Sequence, residues 1–267
     1  MWNSFRFLKP RMLLANILWS FSYFIPDKYF LVKFRGGKIY LNLKESRMMI
    51  QRALGVYEPW KFKLFCDLVR KNMTIIDVGA NKGCFSLLAT KLMGDYGRVL
   101  SFEPEPINCE WITRSIDANN YKGITLFQMA LSDSDGKADL YIGEKSGFHS
   151  LFPPLDKPEP EKMTVIQKRL DTVLQENKIS EVDLIKIDVE GSELQVLKGA
   201  TETIKQNKNL KIIMDLHPQK GVDIYEIYDF LLKYGYKLYR IGKEITPIKD
   251  ADQNIKELIA IKGGFYE

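Results

Sequence analysis

The sequence is poor in the residues that most often build disulfide and metal sites. In 267 residues there are three cysteines, Cys66, Cys84 and Cys109, and two histidines. The cysteines are scattered and odd in number, with no Cys-x-x-Cys pair. That argues against a disulfide framework and a structural zinc site, and reduced thiols in a cytosolic protein are expected. Internal repeats and low-complexity segments are missing as well. No dense Lys/Arg tract marks a nucleic-acid arm, although basic residues outnumber acidic ones 39 to 34 for a net charge of +5. The expectation is a soluble surface with no nucleic-acid partner. Nor is there an apolar run of the roughly 20 residues that cross a bilayer. The stretch from Met12 to Ile25 stops short of that, and no small-residue cleavage site precedes Pro26.

What is present is an ordinary globular composition, 45% hydrophobic and 27% charged, enough to bury a large core in one α/β domain. Two readings stand for residues 1–25, where Arg6, Lys9 and Arg11 precede Trp19, Phe21 and Phe24. One is a helix packing on the domain or on a second subunit. The other is an interfacial anchor giving peripheral membrane contact. Residues 1–70 read as an extension: a hairpin, Phe30–Phe34 and Lys38–Leu43 around Arg35-Gly36-Gly37, then an amphipathic helix over Trp60–Arg70.

From residue 71 onward β-branched runs alternate with helical periodicity, which predicts βαβ units. Strands are expected at Thr74–Val78, Val99–Phe102, Ile124–Met129, Asp183–Asp188, Lys211–Leu216, Tyr236–Ile241 and Leu258–Lys262. Helices are expected at Phe85–Leu92, Cys109–Asn119, Ser192–Lys205 and Tyr225–Tyr234. The fold class is therefore α/β, a doubly wound, Rossmann-like, seven-stranded and mostly parallel sheet over 71–267. Residues 133–170 interrupt the rhythm with a turn, a strand at Ala138–Ile142, a loop around Pro153, Pro154, Pro158 and Pro160, and a returning strand at Thr164–Arg169. Such an insertion is either a substrate lid or an edge hairpin.

Four strand ends carry the chemistry. The first runs through Asp77-Val78-Gly79-Ala80-Asn81-Lys82-Gly83, where glycine lets a ligand approach backbone N–H groups at a helix N-terminus. A nicotinamide fingerprint asks for glycine at 81 and glycine or alanine at 84, where this chain has Asn81 and Cys84. The second strand ends in Glu103, placed to accept hydrogen bonds from both hydroxyls of a ribose. The fourth carries Lys186 and Asp188 on one face by period two, where a buried parallel strand should be apolar. They are either a structural ion pair or part of a site. His217, after the fifth strand, is a candidate base, a substrate partner or a strand-end polar residue. Glu193 reads as a charge in a helix's first turn.

Taken together, Tyr57-Glu58-Pro59, the 77–83 loop, Phe102-Glu103-Pro104, Ala130-Leu131-Ser132-Asp133, Lys186-Ile187-Asp188-Val189-Glu190-Gly191 and Asp215-Leu216-His217-Pro218 resemble the FkbM-type methyltransferases. These are a branch of the class I S-adenosylmethionine-dependent fold. The resemblance implies S-adenosylmethionine as cofactor and methyl transfer, usually to oxygen, with a small-molecule or glycan acceptor. It also implies that Asp77, Gly79, Asn81 and Gly83 line the methionine end, that Glu103 takes the ribose, and that Ala130 and Leu131 border the adenine. Asp188 is the first candidate base, with Lys186 and His217 as orienters or alternative bases. No metal triad is assignable, so metal-independent transfer is expected. Two alternatives remain: a non-catalytic cofactor-binding or membrane-peripheral module on this fold, and an NAD-type oxidoreductase.

Overall fold

The computed structural model describes residues 8–143, 149–153, 159–250 and 252–263. Arg6, Pro154 and Pro158 lie outside them. The chain opens with helix α1 (Leu8–Ser20), a hairpin of β1 (Tyr29–Phe34) and β2 (Gly37–Asn42), and helices α2 (Arg47–Ala53) and α3 (Pro59–Leu68). The alternating region follows: β3 (Thr74–Val78), α4 (Cys84–Met93), β4 (Arg98–Phe102), α5 (Pro106–Asn119) and β5 (Ile124–Phe127). The insertion holds β6 (Ala130–Leu131), β7 (Gly136–Tyr141) and β8 (Lys162–Lys168), and leads into α6 (Leu170–Glu176). Then come β9 (Leu184–Ile187), α7 (Glu193–Gly199), α8 (Thr201–Gln206), β10 (Lys211–Asp215), α9 (Ile224–Lys233), β11 (Lys237–Arg240), β12 (Thr246–Pro247) and β13 (Glu257–Ile261).

The main sheet has eight strands in the order β12-β11-β13-β10-β9-β3-β4-β5. Its seven principal strands are those the alternation predicts, and the two-residue β12 is added at one edge. The central five are parallel and the β13 side is antiparallel. Period-two alternation splits their side chains between two cores. Ile76, Val78, Leu100, Phe102, Ile185 and Met214 face α6–α9, while Ile75, Val99, Leu184 and Ile213 face α3 and α4. The hairpin and α3 belong to the second core, where Phe34, Ile39, Phe62 and Phe65 pack with Phe85 and Leu88. The N-terminal extension is thus one wall of the domain.

Two expectations are adjusted. The strand expected over Ile124–Met129 stops at Phe127, because the chain leaves for a second, three-stranded sheet of order β6-β8-β7. The single helix expected over Ser192–Lys205 is broken at Ala200. There Asp171, from α6, accepts hydrogen bonds from the backbone N–H of Glu202 (2.9 Å) and Thr203 (2.9 Å), so α8 is capped by another helix. Helices α2 and α6 have no counterpart in the sequence reading.

Candidate functional site

A cleft of about 900 Å³, counted out to its open mouth, lies at the carboxyl ends of β3, β4 and β9. This is where open α/β sheets take ligands. Gly79, Asn81, Glu103, Ala130, Leu131 and Asp188 all line it, so six of the residues singled out in the sequence converge on one wall. The insertion forms the opposite side through Leu140, Ser150 and Leu151. It is anchored there by Ser150 Oγ, which donates to the Glu190 carbonyl at 2.8 Å.

The loop after β3 is organised by its own neighbours. The N–H groups of Gly79 and Ala80 donate to the Phe102 carbonyl at 3.0 and 2.9 Å, and that of Asn81 to Glu103 Oε2 at 2.7 Å. Gly79 has φ +71°, and a Cβ there would sit 1.9 Å from the Asp188 carbonyl oxygen. The glycine therefore serves the close approach of two strand ends, a demand that the sequence reading did not foresee. Gly83 caps α4 at φ +76° and faces Ile112 of α5, outside the cleft. Asp77 is also absent from the cleft wall. Buried beneath the loop, its Oδ2 accepts from Ser86 N–H (3.1 Å) and Ser86 Oγ (2.6 Å), which ties down the start of α4.

Glu103 accepts three internal hydrogen bonds, from the N–H groups of Asn81 and Glu105 and from Asn108 Nδ2. Burial nevertheless dominates and pushes its carboxyl up to about 7. Phe102, Met129, Ala130 and Leu131 beside it give the cleft an apolar flank.

Period two pairs Lys186 with Asp188, but the sheet register sets Lys186 beside Asp77 on the neighbouring strand. Lys186 Nζ lies 2.9 Å from the Gly79 carbonyl and 3.4 Å from Asp77 Oδ1, and 3.8 Å from Asp188 Oδ2. Its first job is to hold the loop. Asp188 faces the cleft, and although burial works against its charge, Lys186, Lys61 and His217 bring its carboxyl down to about 2.

His217 sits outside the cleft wall with Nδ1 2.6 Å from Glu193 and Nε2 3.5 Å from Glu190. Burial opposes its charge, and the carboxylates of Glu190, Glu193 and Asp188 outweigh that, raising it to about 10. Among these carboxylates His217 stands as a cation, and an imidazolium has no lone pair to accept a proton. Glu193, read from sequence as a helix-start charge, is fully buried as its partner. Ligand atoms of Asp188, Glu190 and His217 lie within 4.8 Å of one another, a donor set of the kind a divalent cation takes. The sequence hides it because His217 follows a different strand. Lys220 already stands 2.7 Å from Glu190.

Several wall residues escaped the sequence reading. Arg52, on α2, stacks 4.5 Å from the Tyr57 ring and reaches Asn81 Oδ1 at 3.4 Å. No carboxylate of the described residues is within ion-pair distance of it, and its Nε is buried without a partner. The signal was there in Ser46, an N-cap residue type, followed by Met48, Met49 and Ile50. Nearby, Lys61 is buried among Asp215 (2.6 Å), Glu58 (3.0 Å) and Glu257 (3.2 Å). Burial would discharge its ammonium, and the three carboxylates hold its pKa above the ordinary lysine value.

Comparison with known proteins agrees with this geometry. Residues 77–238 match the model of the methyltransferase FkbM domain. The methyltransferase sdnD of Sordaria araneosa is 32% identical over 160 residues, 49% of this chain and 61% of that one. The hexuronic acid methyltransferase AglP of Haloferax volcanii is 26% identical over 193 residues, 71% of this chain and 72% of that one. This chain covers 57% of a further relative, methyltransferase 1 of Beauveria bassiana, so two of these relatives extend well beyond the aligned part. A crystal structure of methyltransferase FkbM from Methylobacillus flagellatus superposes with a TM-score of 0.48 at 18% identity, over 82% of this chain and 54% of that one. The chain belongs to the FkbM methyltransferase family, whose methyl donor is S-adenosylmethionine.

Proposed function

We propose that this protein transfers a methyl group from S-adenosylmethionine to a hydroxyl oxygen of a sugar, glycan or natural-product acceptor. The observation that carries the reading is one cleft with Glu103 at one strand tip, Asp188 at another, and between loop and rim the guanidinium of Arg52, which has no carboxylate partner among the described residues. The residues fit the cofactor. Glu103 would take the ribose hydroxyls, the Phe102–Leu131 flank the adenine, and Arg52, with Asn81, the methionine carboxylate. When bound, S-adenosylmethionine supplies an electrophilic methyl group on a sulfonium.

The chain's own residues do the rest. Asp188 accepts a hydrogen bond from the acceptor hydroxyl and holds its oxygen in line, which is chiefly a positioning task. A carboxylate of pKa about 2 is a weak base toward a free alcohol. An oxygen gaining a methyl group becomes strongly acidic, so Asp188 takes the proton late. Lys186 keeps the Gly79 carbonyl and Asp188 in register. Lys220 and Lys186 bring positive charge up to the acids. The hexuronic acid methyltransferase among the relatives favours a sugar acceptor. Calorimetry with S-adenosylmethionine, S-adenosylhomocysteine and NAD side by side tests the reading. The first two should bind and NAD should not, and the reverse result would reject it in favour of the oxidoreductase.

A further inference from the structure

Helix α1 carries more uncovered apolar surface than any other element described. Ala15 is its buried contact with the domain, and Trp19 is half-buried on the same side. At about 100° per residue, Leu13, Leu14 and Ile17 lie on the opposite side and Leu18 on its flank, and these four are 61, 43, 46 and 39% exposed. Beyond the helix, Phe21 is exposed to a similar degree, and Tyr23 and Phe24 are more exposed still. A helix apolar on its outward face reverses the usual pattern, and the uncovered residues form one continuous patch.

Charge says what covers it. Before Asp27 the only charged residues are Arg6, Lys9 and Arg11, all basic, and Lys9 and Arg11 are exposed. Basic residues at one end, aromatics at the other and aliphatics between them match the interface of an anionic bilayer. A second copy fits less well. A 13-residue helix offers a footprint of roughly 20 by 10 Å, against the about 800 Å² per partner that stable protein interfaces bury.

We propose that α1, with Phe21–Phe24, seats the protein on an anionic lipid surface. The helix packs on α2, whose Met48 and Arg52 line the cleft, so the seating face and the cleft share a structural wall. A membrane-borne acceptor would reach the cleft from this side. That last step rests on the methyltransferase reading; the lipid contact does not.

Flotation with vesicles of phosphatidylcholine alone, and of phosphatidylcholine with phosphatidylglycerol, tests the lipid contact. The protein should float with the anionic vesicles and be released by salt. Leu13→Glu with Ile17→Glu, and separately Lys9→Glu with Arg11→Glu, should each lower partition at least about tenfold. Both should keep the circular dichroism and the S-adenosylhomocysteine affinity of the parent, which reads the cleft independently. Failure of the parent protein to float overturns the proposal, as does undiminished flotation of either variant. A parent dimer that Leu13→Glu with Ile17→Glu converts to monomer, without any vesicle binding, overturns it in favour of a second copy.

Discussion

Glu103 is asked to do two things at once, and its protonation separates them. Folded, its carboxyl titrates at about 7 instead of the ordinary 4.5, so the folded protein keeps the proton longer than the unfolded chain does. Its contribution to stability therefore falls as pH rises from about 4.5 to about 7, and is level above that window. Ribose hydroxyls donate to the ionised form, so affinity for S-adenosylhomocysteine should rise as pH passes through 7. The two trends run in opposite directions, and Glu103→Gln should flatten both. Titration calorimetry and melting curves across that range check the pair. Asp188 gives the second prediction at this scale. Asp188→Asn should fold and bind cofactor with transfer reduced at least about a hundredfold. Some stability should be lost with the charge that Lys186, Lys61 and His217 favour, but the fold should hold, because Lys186 keeps Asp77 and two carbonyls. A collapse in melting temperature would mean that Lys186 and Asp188 are a structural pair after all.

Elements meet here through backbone approaches and buried charges. Any side chain at Gly79 pushes β3 off the end of β9, so Gly79→Ala should cost at least about 2 kcal/mol, read by urea unfolding. Lys61→Met strands Asp215, Glu58 and Glu257 around an empty centre. A loss of about 3–5 kcal/mol is expected near neutral pH, read by urea unfolding. Strand positions and cleft-lining acids were legible from the sequence because parallel strands are apolar runs and ligands bind at their tips. The partners of Lys186 and Lys61 were not. Period two sees along one strand, whereas Asp77 reaches Lys186 across the sheet and Asp215 lies far from Lys61 in sequence. Arg52 was hidden for a simpler reason. Its helix is seven residues long and blends into the run before Tyr57.

At the scale of the whole molecule, the hairpin and α3 cover the face of the sheet formed by Ile75, Val99, Leu184 and Ile213. A chain beginning at residue 71 should lack a cooperative unfolding transition and bind an apolar dye, since that face would be bare. The insertion contributes to the molecule differently, as a wall tied on through Ser150 and Glu190. The contact between Gly79 and the Asp188 carbonyl separates these parts into fixed and variable. Because the loop after β3 and the end of β9 touch through main chain, no rotamer adjusts the distance between those two strand ends. Substitutions that change which acceptor is taken have no room at that junction and must fall on the insertion and the α2 rim. Divergence among enzymes built this way should accumulate there, with the reacting centre held constant like the jaws of a gauge.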